Sequence, residues 1–254
     1  MIKIANWNLE RVTPGQVRAQ RIDSVMSEVD ADIWILTETH KDIVPVSFYT
    51  VMNEEQDPRS KIGERWSAIL SRYLIEPLDD FVSDKIRCAA GKIEHPQIGV
   101  IIVYALVLPW IGSPWRGIAS RDGAAFASAL ALYQSDWEKL QKAYPDAMHI
   151  VAGDFNQSLA DWHYYGSKQN RLRLEVALKK NNFQAITSGM NDPVARDSSP
   201  HACIDHICIS KELATSVVTT MRFPDTQKPD KRLSDHFGVL VELMDDVLEN
   251  SQID

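Results

Sequence analysis

The stretch Met148-His149-Ile150-Val151-Ala152-Gly153-Asp154-Phe155-Asn156 decides the fold, because an apolar run stops there at two closely spaced polar side chains. A short continuous apolar run is typical of a strand that is covered on both faces of a sheet. Asp154 and Asn156 follow this strand directly. Taken alone, such residues are also common in turns and helix caps, so their interpretation depends on how the other strands end.

Several other predicted strands also have a carboxylate or an amide side chain at or near one end. These positions are Asn8 at the end of Ile2–Asn8, Glu38 after the apolar run 31–37, Asp205 within 203–210, and Asp235-His236 before the final strand. Hard divalent cations take oxygen ligands of this kind, and a neighbouring histidine supplies acid–base chemistry or charge stabilisation at a phosphoryl oxygen. Together the positions indicate one polar site at the rim of a sheet.

The remaining patterns continue an alternation of strands and helices. Helices are predicted near 17–29, 124–143 and 171–180, and further strands at 66–71, 88–94, 99–108, near 183, and at 204–209, 217–221 and 237–243. No repeat and no Gly/Ser-rich linker interrupts the series, and the Pro-containing stretches are typical of loops. We therefore expect a single α/β domain over residues 1–244, followed by an acidic tail over residues 245–254.

The charge balance argues against a protein that holds long polyanions through a broad basic surface. The 254 residues carry 27 Lys plus Arg against 35 Asp plus Glu, which gives a formal net charge of −8. Half of this surplus belongs to the last ten residues, which hold four acids and no base. A hydrophobic fraction of 44% with 24% charged residues is ordinary for a globular chain and excludes disordered and collagen-like classes.

Targeting signals and metal-binding cysteines are not apparent. The opening residues 1–10 hold no apolar stretch long enough for a signal-peptide core, and no run in the sequence approaches the length of a membrane span. Cys88, Cys203 and Cys208 lack the spacing of a metal site. We expect a cytoplasmic protein with buried thiols and no membrane association. The lack of His-Glu-x-x-His disfavours zinc, and the lack of Gly-x-Ser-x-Gly sets aside a Ser-His-Asp hydrolase. Nothing in the sequence indicates an oligomeric state.

Six motifs occur in order along the chain: Trp7-Asn8-Leu9, Thr37-Glu38-Thr39, Trp66–Arg72, Gly153–Asn156, Ile204-Asp205-His206 and Ser234–Val239. They resemble those of the endonuclease/exonuclease/phosphatase superfamily, which includes exonuclease III-type and apurinic endonucleases, pancreatic deoxyribonuclease, inositol polyphosphate phosphatases and neutral sphingomyelinases. Gly-Asp-Phe-Asn alone is a weak motif, whereas six motifs in family order are specific. The resemblance implies a four-layered α/β sandwich, with two mixed β-sheets face to face and helices outside, and metal-dependent cleavage of a phosphate ester.

The resemblance also implies a metal site. Glu38 looks like the principal ligand of a Mg²⁺ or Mn²⁺ ion. Asn8 and Asp235 would lie close enough to bind the same ion directly or through water.

The catalytic residues implied by the resemblance surround that site. Asp154 looks like the residue that orients or deprotonates the attacking water, and Asn156 would help to hold the phosphate. His236 would stabilise the phosphoryl oxygens or donate a proton, while Asp205 fixes the orientation of its ring. A metal and an imidazole on opposite sides of a phosphodiester neutralise the charge of its transition state.

The sequence departs from the family pattern at its strongest strand, 99–108. Many phosphatase and sphingomyelinase members carry Thr-His-Leu at the end of this strand, and this chain has no histidine there. Exonuclease III-type members carry a tyrosine followed shortly by a proline. Tyr104 is the candidate for this catalytic tyrosine, although Pro109 comes five residues after it. The alternative is that Tyr104 is a buried residue of the strand without a catalytic role.

Four further residues are candidates for contact with the substrate. Trp115 and Arg116 belong to the Pro/Gly-rich loop after this strand, where they would stack on bases or pack the loop. Lys231 and Arg232 precede Asp235 closely and are placed to contact phosphates at the rim.

These features predict a Mg²⁺- or Mn²⁺-dependent hydrolase that cleaves DNA or RNA phosphodiesters by water attack. One alternative is a phosphatase or phosphodiesterase that acts on a phosphorylated small molecule or a lipid headgroup. The other is a non-catalytic binding domain on the same fold, which the presence of all the principal catalytic positions disfavours.

Overall fold

A computed structural model describes residues 1–196, 199–224 and 232–244. The described residues form two six-stranded mixed sheets that pack face to face, with helices on the outer faces. This is the four-layered α/β sandwich expected from the sequence. The predicted acidic tail, residues 245–254, lies outside the described residues. No helix in the described ranges has the length and apolar character needed to cross a membrane.

Each sheet combines strands from both halves of the chain. The strands of the first sheet are β1 (Ile2–Asn8), β2 (Ile33–His40), β3 (Tyr49–Met52), β4 (Glu64–Ser71), β11 (Val217–Phe223) and β12 (Gly238–Leu243). Those of the second are β5 (Ile75–Pro77), β6 (Ala89–His95), β7 (Gly99–Val107), β8 (Met148–Asp154), β9 (Phe183–Ala185) and β10 (Asp205–Ser210). The strand orders are β11-β12-β1-β2-β4-β3 and β5-β6-β7-β8-β10-β9. The α-helices are α1 (Val17–Val29), α2 (Ala124–Ala143) and α3 (Lys168–Lys180).

The apolar runs of the central strands are continuous because both of their faces are covered. In β8, Ile150 and Ala152 belong to the core between the sheets, whereas Val151 belongs to the core beneath α2 and α3. In β1, Ile4 faces the second sheet and Trp7 packs in the core that contains residues of α1. Side chains alternate between the two faces of a strand, so each of these strands contributes to two cores.

Two edge strands, β3 and β5, were not predicted from the sequence. They have four and three residues, and each has one neighbour within its sheet. Strands this short contain too few residues to show an alternating apolar pattern. They adopt the strand conformation because they pair with β4 and β6. The strand predicted to end at Glu38 instead continues to His40.

The two sheets present their polar strand ends at one edge of the sandwich. β1 runs parallel to β2, and β7 runs parallel to β8, so Asn8, Glu38 and Asp154 all lie toward the carboxyl ends of parallel strands. β10 and β12 run antiparallel to β8 and β1 and therefore begin at this edge. The Asn6 side chain bridges the sheets there, because its Nδ2 donates to the carbonyl of Gly153 at 2.9 Å.

Candidate active site

Asp154 lies at the centre of a buried network of amides. Its Oδ2 accepts hydrogen bonds from Nδ2 of Asn8 at 3.2 Å and from Nδ2 of Asn156 at 3.0 Å. The backbone N–H of Asn156 donates to Oδ1 at 2.9 Å. Asn156 reaches this position with a φ of 49°, in the left-handed region that asparagine tolerates better than most residues. The structure thus brings together residues from two sheets and fixes the Asp154 carboxylate.

His236 and Asp205 form a pair beside this network. Nδ1 of His236 lies 2.6 Å from Oδ2 of Asp205, and its Nε2 lies 3.8 Å from Oδ1 of Asp235. Asp205 stands opposite Asp154 in the antiparallel register of β10 and β8. Asp205 is therefore in contact with the ring that the sequence analysis expected it to orient.

Glu38 reaches the same edge through an irregularity in β2. The strand pairs Thr37 with Ser67 and Thr39 with Arg65, and between them Glu38 takes a φ of 45°. Its Oε2 lies 3.2 Å from Nε of Arg11. Burial raises the pKa of the Glu38 carboxyl, although the charge of Arg11 opposes this effect.

The charges at this edge strongly perturb one another. Burial raises the pKa of Asp154, and the nearby carboxylate of Asp205 raises it further. Burial disfavours the protonated ring of His236, but the charge of Asp205 and its hydrogen bond outweigh that effect and raise the pKa of His236 to about 10. His236 is therefore positively charged at neutral pH in the metal-free protein.

The residues of this edge fit a divalent cation. Ligand atoms of Asp154, Asp205 and His236 lie within 4.8 Å of one another, and the two carboxylates, not the positively charged ring, are the donors in this group that suit a hard cation. Oδ1 of Asp205 is buried, and it has no hydrogen-bond partner among the described residues. The oxygens of Asn8 and Glu38 add hard donors at the same edge, and Asp235 contributes charge there. The site thus combines the predicted ligands with a close Asp–Asp–His cluster that the sequence analysis had assigned to catalysis.

Supporting hydrogen bonds that sequence reasoning missed hold the site in place. The hydroxyl of Ser234 donates to the carbonyl of Asn8 at 2.6 Å and accepts from the N–H of His236 at 3.1 Å. The indole N–H of Trp7 donates to the carbonyl of His236 at 3.3 Å. Ser234 and Trp7 both lie in the motifs singled out above, but only the tertiary structure reveals these partners.

A cleft of about 690 Å³ opens beside His236. Its polar lining includes Asp205, Asp235 and His236 together with Tyr164, Arg196, His201, Arg222 and Arg232. Tyr164 and His201 form a pair, with 2.7 Å between the phenol oxygen and Nδ1 of the ring. The predicted substrate residue Arg232 is therefore at the site, where it also bonds to Glu10 at 2.8 Å. Lys231 lies outside the described residues.

Tyr104 is not brought to this site, which contradicts its assignment to the catalytic set. The residue is buried among the side chains between β7 and α2, and its hydroxyl donates to Oδ2 of Asp136 at 3.0 Å. In β7, Val103 and Ala105 face the other sheet, so the alternation of the strand turns Tyr104 toward the helices. The alternative of a buried strand tyrosine is the one observed.

Trp115 and Arg116 also stand apart from the His236 cleft. Trp115 is buried, and its indole N–H donates to Oδ2 of Asp84 at 2.8 Å. Arg116 donates to the carbonyl of Ser83 at 2.7 Å and lies over the Trp115 ring. Trp115 thus packs the loop, which was the alternative considered from the sequence. Both residues border a separate cleft of about 550 Å³.

Solved structures with the same fold include enzymes of nucleic-acid metabolism. A 3′ phosphatase from Neisseria bound to a product DNA hairpin has a TM-score of 0.67 and 16% identity, over 96% of this chain and 100% of that chain. An AP endonuclease from Archaeoglobus fulgidus has a TM-score of 0.67 and 17% identity, over 96% and 99%. An AP endonuclease from Leishmania major has a TM-score of 0.68 and 16% identity, over 94% and 86%. At these identities the similarity establishes the fold.

The family is established by sequence. No curated protein compared with this chain matches it. The family model described as Endonuclease/Exonuclease/phosphatase family matches residues 5–236, a range that includes every residue of the site described above. The chain therefore belongs to the endonuclease/exonuclease/phosphatase family and is an enzyme of the phosphoesterase class.

Proposed function

We propose that this protein is a divalent-metal-dependent nuclease that cleaves phosphodiesters of DNA or RNA by attack of water. The observation that supports it most directly is the meeting of Asp154, held by two amides, with the charged His236–Asp205 pair. This arrangement places a base for water and a cation for phosphoryl oxygens at one edge of the sandwich.

The proposed roles follow from the contacts and charges of these residues. Asp154 accepts the proton of the attacking water, because the amides of Asn8 and Asn156 hold its carboxylate at this edge. His236 carries positive charge at neutral pH, so it stabilises the phosphoryl oxygens electrostatically and is a poor proton donor. Asp205 is a positioning residue that acts through His236. Asn156 is a positioning residue as well, because its amide N–H groups are donated to Asp154 and to the carbonyl of Leu108.

Glu38, Asn8 and Asp235 are the proposed holders of Mg²⁺ or Mn²⁺. When bound, the cation supplies positive charge opposite His236 and so offsets the charge that develops on the phosphate. The amide of Asn8 links this ligand set to Asp154. A change at any of the three should weaken metal binding as well as activity.

A cleavage assay on the purified protein tests the proposal. Single- and double-stranded DNA, abasic DNA and RNA are each incubated with Mg²⁺ or Mn²⁺, for the wild type and for Asp154→Asn. We expect metal-dependent strand cleavage that falls about 10²- to 10⁴-fold in the variant. Asp146→Asn is the matched control, because Asp146 is exposed and lies with Met148 at the opposite end of β8.

Failure of the protein to cut any of these nucleic acids with either metal would refute the nuclease proposal. Release of inorganic phosphate from phosphorylated small molecules, without strand cleavage, would support a phosphatase on the same site. Equal rates for wild type and Asp154→Asn would refute the role given to Asp154.

A further inference from the structure

Two indoles and two guanidinium groups are stacked beside Glu38. We call Arg11, Trp66, Arg87 and Trp110 the indole–arginine cluster. The ring centroids of Trp66 and Trp110 are 6.2 Å apart, and the two ring planes are inclined at 29°. The guanidinium of Arg11 lies 4.4 Å from the Trp66 centroid, and that of Arg87 lies 4.9 Å from Trp66 and 5.7 Å from Trp110. The proposed hydrolysis uses none of these four side chains.

The cluster adjoins the catalytic residues on two sides. Arg11 reaches Glu38, with 3.2 Å between Nε and Oε2. Trp110 follows Leu108 by two residues, and the carbonyl of Leu108 accepts a hydrogen bond from Nδ2 of Asn156 at 3.0 Å. A nucleotide adjacent to the scissile phosphate is therefore within reach of these rings.

The charge of the cluster favours an anionic ligand. Arg87 is only 4% exposed, and its Nη1 has no hydrogen-bond partner in the described part of the chain. A buried guanidinium with an unsatisfied donor is costly unless an acceptor completes it. Arg11 is already shared between Glu38 and Glu64, whose Oε2 lies 3.1 Å from its Nη1. Arg87 is therefore the group that most needs an anionic partner.

The indoles favour a planar ligand. Trp110 is 40% exposed, so part of its surface is open to a second ring. Trp66 is buried against it and is held by the hydrogen bond from its indole N–H to Oδ2 of Asp57 at 3.3 Å. Bases stack on such rings only where they are not already stacked within a duplex.

We propose that the indole–arginine cluster binds an unpaired nucleotide next to the scissile phosphate, with its base on Trp110 and its phosphate toward Arg87. This inference rests on the proposed nuclease function and narrows its substrate to single-stranded nucleic acid or to strands with unpaired ends. The combination of an aromatic face and a cation is typical of proteins that bind single strands.

Fluorescence anisotropy in the presence of a metal chelator tests binding without cleavage. The probes are a labelled single-stranded DNA oligonucleotide and its blunt-ended duplex. We expect Trp110→Ala to weaken single-strand binding about 5- to 100-fold, and Trp110→Phe to retain most of the affinity. Duplex binding should change little in either variant. Thermal melting of each variant verifies that it is folded.

Tyr49→Ala is the matched control, because Tyr49 is an aromatic residue that is 50% exposed and pairs with Ser71, at the end of β4 away from the site. Single-strand affinity near the wild-type value in this variant supports the proposal. Equal losses in Trp110→Ala and Tyr49→Ala, or equal losses for single strand and duplex, would overturn it.

Hydrolysis of bis(p-nitrophenyl) phosphate with Mn²⁺ separates this inference from the proposed function. Retention of this hydrolysis by Trp110→Ala, together with loss of strand binding, supports both. Absence of the hydrolysis in wild type, together with no strand cleavage, refutes the nuclease proposal. Strand binding that does not depend on Trp110 overturns the cluster proposal, whether or not the small substrate is cleaved.

Discussion

Replacement of Asp205 by asparagine should abolish the unusual basicity of His236. The substitution keeps the size of the side chain but removes the negative charge that lies 2.6 Å from Nδ1. Burial of the ring remains and still disfavours protonation. The pKa of His236 should therefore fall from about 10 to the ordinary histidine value or lower.

The expected magnitude follows from that difference. The interval between about 10 and the ordinary value of 6.5 corresponds to about 5 kcal/mol of preference for the protonated ring. Because the folded-state pKa is raised, this stabilisation is fully present below the unfolded-state pKa and is lost as pH rises through the folded-state value. The free energy of unfolding of Asp205→Asn should thus lie furthest below that of the wild type near about pH 6, with the gap narrowing toward about pH 10.

Nuclear magnetic resonance of the imidazole Cε1–Hε1 signals measures the pKa of His236 directly in chelator-treated protein. His236→Gln assigns the signal, and Asp146→Asn should leave its titration unchanged. Titration of His236 near pH 6.5 in the wild type would refute the reasoning, as would the same pKa in wild type and Asp205→Asn. Denaturant unfolding across the pH range gives an independent measurement of the linkage.

Three further predictions concern metal binding by Glu38, the ion pair of Asp57 with Arg59, and the backbone at Gly153. Glu38→Gln should weaken Mn²⁺ binding at least about ten-fold in isothermal titration calorimetry, whereas Glu94→Gln, at an exposed position of β6, should leave it unchanged. Asp57→Asn should lower the free energy of unfolding by about 2 kcal/mol at neutral pH, because the hydrogen bonds from Arg59 lower the pKa of Asp57 to about 2. Since that pKa is lowered, the difference should shrink as pH falls from about 4 to about 2, and a difference independent of pH would contradict the explanation. Gly153→Ala should destabilise the protein by about 3 kcal/mol or more, because φ is +140° and a Cβ would lie 2.0 Å from the carbonyl oxygen of Leu106. In urea unfolding, Gly189→Ala, which has backbone strain without a collision, should cost only about 1 kcal/mol.

The buried strands and long helices were predictable because their signals are local. The helix expected over 124–143 has those bounds, and β1 has the bounds that its alternation predicted. Their apolar residues recur with the periods of a helix and a strand, whatever the rest of the chain does. The edge strands β3 and β5 lack such a pattern, since their pairing partners determine them.

The surroundings of Tyr104 and the contacts within the indole–arginine cluster could not be predicted from local sequence patterns. The place of Tyr104 in the chain fitted a catalytic role, but the alternation of β7 turned its side chain toward α2. Trp66 and Arg87 are 21 positions apart in the chain, and no sequence pattern around either residue predicts that their side chains are in contact. Their contact depends on how the two sheets align.

The sequence by itself determined which strands are buried and which polar residues stand at their ends, because a run of apolar side chains and its stopping point are properties of neighbouring residues. Only the tertiary structure decided which of those residues meet. Asn8 and Asp154 are 146 positions apart, and Asn8 and Ser234 are 226 positions apart, yet both pairs are hydrogen-bonded. Strand order and register bring Ser234 to Asn8, and the packing of one sheet on the other brings Asn8 to Asp154.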